Sequence, residues 1–213
     1  MAENVKGAAA RFIAVEGLDG SGKSTQARIL SQRLNELSVP NVCDFEPTDG
    51  KIGRQIREIL SGKQKADART MALLFAADRI EHITGENGIL KNLCKGTSVI
   101  SDRYYFSSYA YQMTDMPLEW VMSINSQAKL LAKPDCHIFI DVSPEACLER
   151  IYNNRKTTAD IFENKKSLIA ARENFMRIFN LVSADENVII INGNDDLETV
   201  SNRVFEQVKP LFF

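Results

Sequence analysis

Along the chain, short apolar runs alternate with longer stretches in which apolar positions recur every three or four residues. The runs at 11–16, 41–45, 98–101, 137–141 and 188–191 carry few polar positions. Strands of that kind suit a sheet covered on both faces. The stretches at 24–37, 51–61, 67–83, 107–112, 118–131, 144–153, 163–182 and 196–208 read as helices. Strands alternating with helices predict an α/β fold, a five-stranded parallel sheet flanked by helices as a three-layer sandwich. No internal repeat or low-complexity linker divides the sequence, so a single domain over 1–213 is expected. The polar, irregular Asn153-Asn-Arg-Lys-Thr-Thr158 separates two of the helices. It predicts an exposed loop, a short lid over about 152–162.

Composition narrows the class. A chain of 213 residues can bury a large core without staples, and 44% hydrophobic with 25% charged residues is a globular balance. A net charge of −2 offers no basic reservoir for a nucleic-acid backbone, so no nucleic-acid partner is expected. No apolar run approaches the roughly eighteen residues of a membrane span, so no membrane partner is expected either. The first residues lack the apolar region of a signal peptide. Cys43, Cys94, Cys136 and Cys147 are scattered, with no metal-ligand spacing, and predict buried thiols in a reducing cytoplasm.

The chemistry begins at Gly17-Leu-Asp-Gly-Ser-Gly-Lys-Ser24, between the first apolar run and the first helix. This is the phosphate-loop pattern GxxxxGK[ST] in its strand–loop–helix context, and it marks a P-loop NTPase. Gly17, Leu18, Asp19, Gly20, Ser21, Gly22, Lys23, Ser24 and Thr25 are therefore the expected nucleoside triphosphate site. Lys23 reaches the outer phosphates and the Ser24 hydroxyl ligates Mg²⁺. In an open parallel sheet, ligands sit beyond the C-terminal strand ends. That rule selects Glu46-Pro-Thr-Asp-Gly50, Asp102-Arg103-Tyr104 and Asp141. Asp102 can hold Mg²⁺ through water while Arg103 forks a phosphate, or the two form a structural pair at a strand end. Ser107, Ser108 and Tyr111 share a helical face, which suits either a polar acceptor pocket or core packing. Phe75 and Arg79, at i and i+4, suit a nucleobase, or else a core helix ending in a surface arginine. Arg150, Arg155 and Lys156 bracket the lid as cations for a transferring phosphoryl group, or as a solvated basic turn.

Together these segments resemble the thymidylate kinase family of nucleoside monophosphate kinases, from about Phe12 to the C-terminus. The resemblance is carried by Phe12–Gln26, Leu74–Arg79, Lys133-Pro-Asp135, Phe139–Val142, Pro144-Glu145 and, most characteristically, Asp102–Gln112. It implies a homodimeric enzyme that transfers the γ-phosphoryl of MgATP to dTMP, giving dTDP and ADP. It implies that Lys23 and Ser24 hold the ATP phosphates and Mg²⁺. Asp19 would face the acceptor, ordering its sugar and phosphate or the metal, with Asp102 also near the metal. Phe75 would stack on thymine, Arg79 bind a base carbonyl and Arg103 clamp the acceptor phosphate. Ser107 and Ser108 would contact the base, with Tyr111 against the sugar and Gln112 and Glu46 beside them. The chain departs from the family pattern in three places. Gly20 stands where some members carry arginine, and the lid run Asp160-Ile-Phe-Glu163 lacks the expected arginine, leaving Arg155 or Arg150 as the substitute. Phe45 precedes Glu46-Pro47 where arginine is common, and Met113-Thr114 follows Gln112 where glycine is common. The alternatives are a related kinase for dUMP or a deoxynucleoside, and a nucleotide-binding protein without turnover.

Overall fold

The computed structural model describes residues 10–155 and 161–213. Five strands, β1 (Phe12–Gly17), β2 (Asn41–Phe45), β3 (Ser98–Asp102), β4 (Cys136–Asp141) and β5 (Val188–Asn192), form one parallel sheet in the order β2-β3-β1-β4-β5. Each lies within one residue of its expected position. All six residues of β1 are buried, as a central strand covered on both faces requires. Ile13 lies opposite Ile100 on one side and Cys136 on the other. Asp135 fixes where β1 begins, accepting from Phe12 N at 2.8 Å and from Arg11 Nη1 at 3.0 Å.

The helices are α1 (Lys23–Glu36), α2 (Lys51–Leu60), α3 (Ala68–Thr84), α4 (Ile89–Cys94), α5 (Tyr105–Gln112), α6 (Leu118–Ile124), α7 (Ser126–Leu131), α8 (Pro144–Arg155), α9 (Ile161–Val182) and α10 (Leu197–Val208). Four expectations need correction. Helix α4 is absent from the sequence-based prediction, because six residues are too few to show a period. The stretch 118–131 is two helices parted at Asn125, whose backbone leaves helical geometry and whose side chain turns inward to Arg79. Helix α8 runs to Arg155 and α9 starts at Ile161, so 152–155 and 161–162 are helical where a lid loop is expected; residues 156–160 lie outside the described part. The cysteines are all free, but Cys43 and Cys94 are exposed. Cys43 is on the edge strand β2, at one of its exposed positions, and Cys94 ends the six-residue α4.

Helix α9 packs by its buried face, Leu168, Ala171, Phe175, Ile178, Phe179 and Val182, spaced three and four apart. Phe175 and Phe179 meet Phe139 of β4 with ring centroids 4.8 and 5.0 Å away, and Phe106 of α5 stacks edge-on against Phe179. Burying each such side chain contributes roughly 1.5–3 kcal/mol. The cluster fixes α5 and α9 on the sheet face beside the strand ends. No described helix is long and apolar enough to cross a membrane.

Candidate active site

The C-terminal end of β1 turns directly into the glycine loop. Gly20 and Gly22 take left-handed backbone angles, φ 83° and 91°. A side chain at Gly20 would place its Cβ 2.4 Å from the Cys147 carbonyl of α8, so the loop and α8 are in direct backbone contact. Arg150, one turn further along α8, donates to Ser21 O at 3.3 Å and to Gly193 O at 3.2 Å. It braces the loop's backbone from outside. Lys23 opens α1 and is buried, with Nζ 3.2 Å from Leu18 O and 3.3 Å from Asp19 Oδ1. Burial and the neighbouring Arg103 charge lower its pKa, and Asp19 and Asp102 work against that. A phosphate placed there would favour both cations. Ser24 is exposed beside them, and Asp102 Oδ1 is buried without a hydrogen-bond partner. Among the described residues no three His, Cys, Asp or Glu side chains group as metal ligands. One hydroxyl and one carboxylate fit Mg²⁺, which takes few protein ligands and fills its shell with phosphate and water.

Arg103 follows β3 with φ 76°, a left-handed conformation that a side chain disfavours. Such a position costs of order 1–3 kcal/mol and needs support around it. Glu16 supplies it. One carboxylate oxygen accepts from Tyr104 N at 3.0 Å and Ser107 N at 3.3 Å, and the other from Ser107 Oγ at 2.6 Å. Burial pushes the Glu16 carboxyl up to about 7, against the lowering effect of the Ser107 bond and the Arg103 charge. Arg103 Nη1 donates to Ser107 Oγ at 3.1 Å, Nη2 pairs with Asp19 Oδ1, and the guanidinium lies over the Tyr111 ring at 5.4 Å. The recorded carboxylate partner of Arg103 is thus Asp19 and not its neighbour Asp102. Tyr111 accepts from Asp19 N at 3.2 Å. Asp19 Oδ1 therefore bridges Lys23 on one side and Arg103 on the other.

The end of β2 and the extended segment that follows it lie along α3 and are gripped at alternate residues. Asp44 Oδ2 is 3.2 Å from His82 Nε2, Glu46 Oε1 3.0 Å from His82 Nδ1, and Glu46 Oε2 2.8 Å from Arg79 Nε. Thr48 donates through both N and Oγ1 to Asp78, each at 2.7 Å. Arg79 is only 1% exposed, so it is not the surface arginine that an amphipathic reading allowed. Its Nη1 donates to Ser108 Oγ at 3.0 Å and to Asn125 Oδ1, and its Nη2 to Tyr104 O at 3.3 Å. Phe75 is half-buried one turn before it, and Gln112 is buried with Oε1 unpartnered. Asp141 is held bidentately by Arg172 of α9 at 2.7 and 2.8 Å. The Arg155 side chain and Lys156 lie outside the described residues.

The structure thus joins Lys23, Asp19, Arg103, Ser107 and Tyr111 in one network, and Glu46, Arg79 and Ser108 in a second. Sequence reasoning missed Glu16, Asp78, His82 and Asn125. Glu16 had a signal, a lone carboxylate closing an apolar strand; Asn125 had none, since it lay inside an expected helix.

A family model described as thymidylate kinase matches residues 15–204. A probable thymidylate kinase of Methanococcus maripaludis is 42% identical over 207 residues, covering 93% of this chain and 94% of that one. One of Methanocaldococcus jannaschii is 36% identical over 200 residues, covering 93% and 95%. One of Thermococcus kodakarensis is 35% identical over 212 residues, covering 94% and 98%.

Proposed function

The chain belongs to the thymidylate kinase family and is a nucleoside monophosphate kinase acting on dTMP, and from that premise we propose that it takes the γ-phosphoryl of MgATP. The observation that carries the assignment of roles is the Lys23–Asp19–Arg103 bridge. It sets a cation of the phosphate loop and a cation of the third strand end one carboxylate apart. Lys23 takes the outer phosphates of ATP, and Arg103 takes the phosphate of dTMP. As the phosphates arrive, they replace Asp19 as the acceptors of both cations. The two cations then hold mutually repelling anions in line, and positioning supplies most of the rate. The acceptor oxygen is already anionic at neutral pH, so no strong base is needed. Ser24 and Asp102 would hold Mg²⁺, whose charge screens the transferring phosphates.

On the acceptor side, Phe75 stacks on thymine and Tyr111 lies against the sugar. The Arg79 nitrogens all lie within bonding distance of protein acceptors. Arg79 therefore serves the base carbonyl through Ser108, whose oxygen accepts from Arg79 and whose hydrogen is left to donate. Arg155, at the end of α8, supplies a cation to the transferring group, with Arg150 bracing the loop. A homodimer is supported by exposed leucines on three neighbouring helices, Leu60, Leu73 and Leu130. A cytoplasmic site of action fits the composition.

The test is ADP release from MgATP with dTMP, dUMP, dCMP, UMP, thymidine or no acceptor. Strong preference for dTMP is expected. Preference for dUMP or thymidine would move the acceptor assignment, and turnover independent of any acceptor would overturn the kinase reading.

A further inference from the structure

Beneath the acceptor side lie three buried charged groups, Glu46, Arg79 and His82, with the part-exposed Asp44 at their edge, and the phosphate chemistry does not use them in full. His82, on α3, is 6% exposed, and its ring nitrogens face two carboxylates, one near the end of β2 and one just after it. Nδ1 is 3.0 Å from Glu46 Oε1, and Nε2 is 3.2 Å from Asp44 Oδ2. The second oxygen of Glu46 accepts from Arg79 Nε at 2.8 Å and lies 2.6 Å from Nη2. One carboxylate is therefore stretched between an imidazole and a guanidinium. Held at one oxygen, a carboxylate turns easily about its last torsion; held at both, it cannot. Fixing Glu46 fixes the plane of Arg79, and that plane sends Nη1 to Ser108 Oγ and Asn125 Oδ1.

We propose that His82 is a positioning residue for the acceptor base: through Glu46 it sets Arg79, and through Arg79 the Ser108 hydroxyl that meets the base. The proposal rests on the dTMP-kinase reading above. The charge state supports it. Burial opposes charge on His82, but Asp44 and Glu46 overcome burial and raise its pKa to about 9. At neutral pH the buried imidazolium and Arg79 flank the buried Glu46, and the part-exposed Asp44 supplies the second negative charge, so each buried charge has a partner of opposite sign. The same helix presents Asp78 one turn earlier, but that carboxylate is occupied by Thr48.

The two nitrogens allow a discriminating test. His82→Asn keeps an amide N–H where Nδ1 faces Glu46; His82→Gln puts it where Nε2 faces Asp44. Both lose the imidazolium, so any general loss of stability is common to the two and cancels in the comparison. The measurements are dTMP affinity by titration calorimetry, with kcat and the KM for ATP. His82→Gln should weaken dTMP binding about tenfold while kcat and the KM for ATP move less than about twofold. His82→Asn should bind dTMP nearly as the wild type does. Equal dTMP affinity in the two variants, or a parallel loss of ATP affinity, would overturn the proposal. Wild-type protein without dTMP-dependent turnover would instead overturn the reading beneath it.

Discussion

Replacing Glu16 by glutamine removes a buried carboxyl while keeping its shape, and the structure sets the size and sign of the effect. Glu16 is fully buried, and its carboxyl ionises near pH 7 in the folded chain, against an ordinary value of 4.5. The folded value lies above the unfolded one. The contribution to stability is therefore complete below pH 4.5, declines as pH rises, and is gone above about pH 7. Over pH 4.5 to 8 this amounts to about 3 kcal/mol. A glutamine at this position cannot titrate, so the stability of the wild type relative to the Glu16→Gln variant should fall by about that much across the interval. Other titrating groups, His82 among them, are common to both proteins and cancel. Urea unfolding at a series of pH values, followed by the fluorescence of the single tryptophan, Trp120, reads the difference directly. A difference that stays constant from pH 4.5 to 8 would refute the reasoning, because it would mean that Glu16 stays in one protonation state throughout.

Gly20→Ala should cost about 1–3 kcal/mol and weaken nucleotide binding, since its Cβ would meet the Cys147 carbonyl at 2.4 Å and its φ is 83°. An unchanged urea midpoint with unchanged ATP affinity would contradict the loop–α8 contact. Phe175→Ala empties a fully buried site between Phe139 and Phe179 and should destabilise by about 3–5 kcal/mol. A thermal unfolding shift worth less than about 1 kcal/mol would show that the cluster is not the anchor of α9.

The sheet was legible because its central strands β1 and β4 are short, mostly apolar runs, the mark of a parallel strand with both faces covered, and the more polar edge strand β2 still stands out as a short run between helical stretches. The phosphate loop was legible because its function lies in local backbone geometry, which glycines announce. Residues that act across the fold were not. Asn125 reads as one more helical position until Arg79 is seen to pull it out of the helix. Asp78 and His82 read as the polar side of an amphipathic helix, yet they are buried because the segment after β2 lies on that face and supplies partners for each of them. Glu16 ranks as a strand-end carboxylate in sequence, and only the left-handed turn at Arg103 reveals what it accepts. The length of α8 was misjudged because Asn153 and Asn154 are poor helix formers, and the helix nevertheless continues through them to Arg155.

The central place of β1 bears on how this chain is made. The strand that carries the phosphate loop is made before the other strands of the sheet, yet its neighbours are β3 and β4, which follow much later in the chain. Ile13 pairs with Ile100 and with Cys136, so one edge of β1 stays without its partner until about 120 further residues have been synthesised, roughly 6–25 s at ordinary translation rates. Pairings so distant in sequence are slow to form. The nucleotide site is thus completed near the end of folding, and ATP can stabilise only chains that have already closed the sheet. During synthesis, Phe12-Ile-Ala-Val15 is an apolar strand with both edges open, and so a segment that needs shielding from other nascent chains.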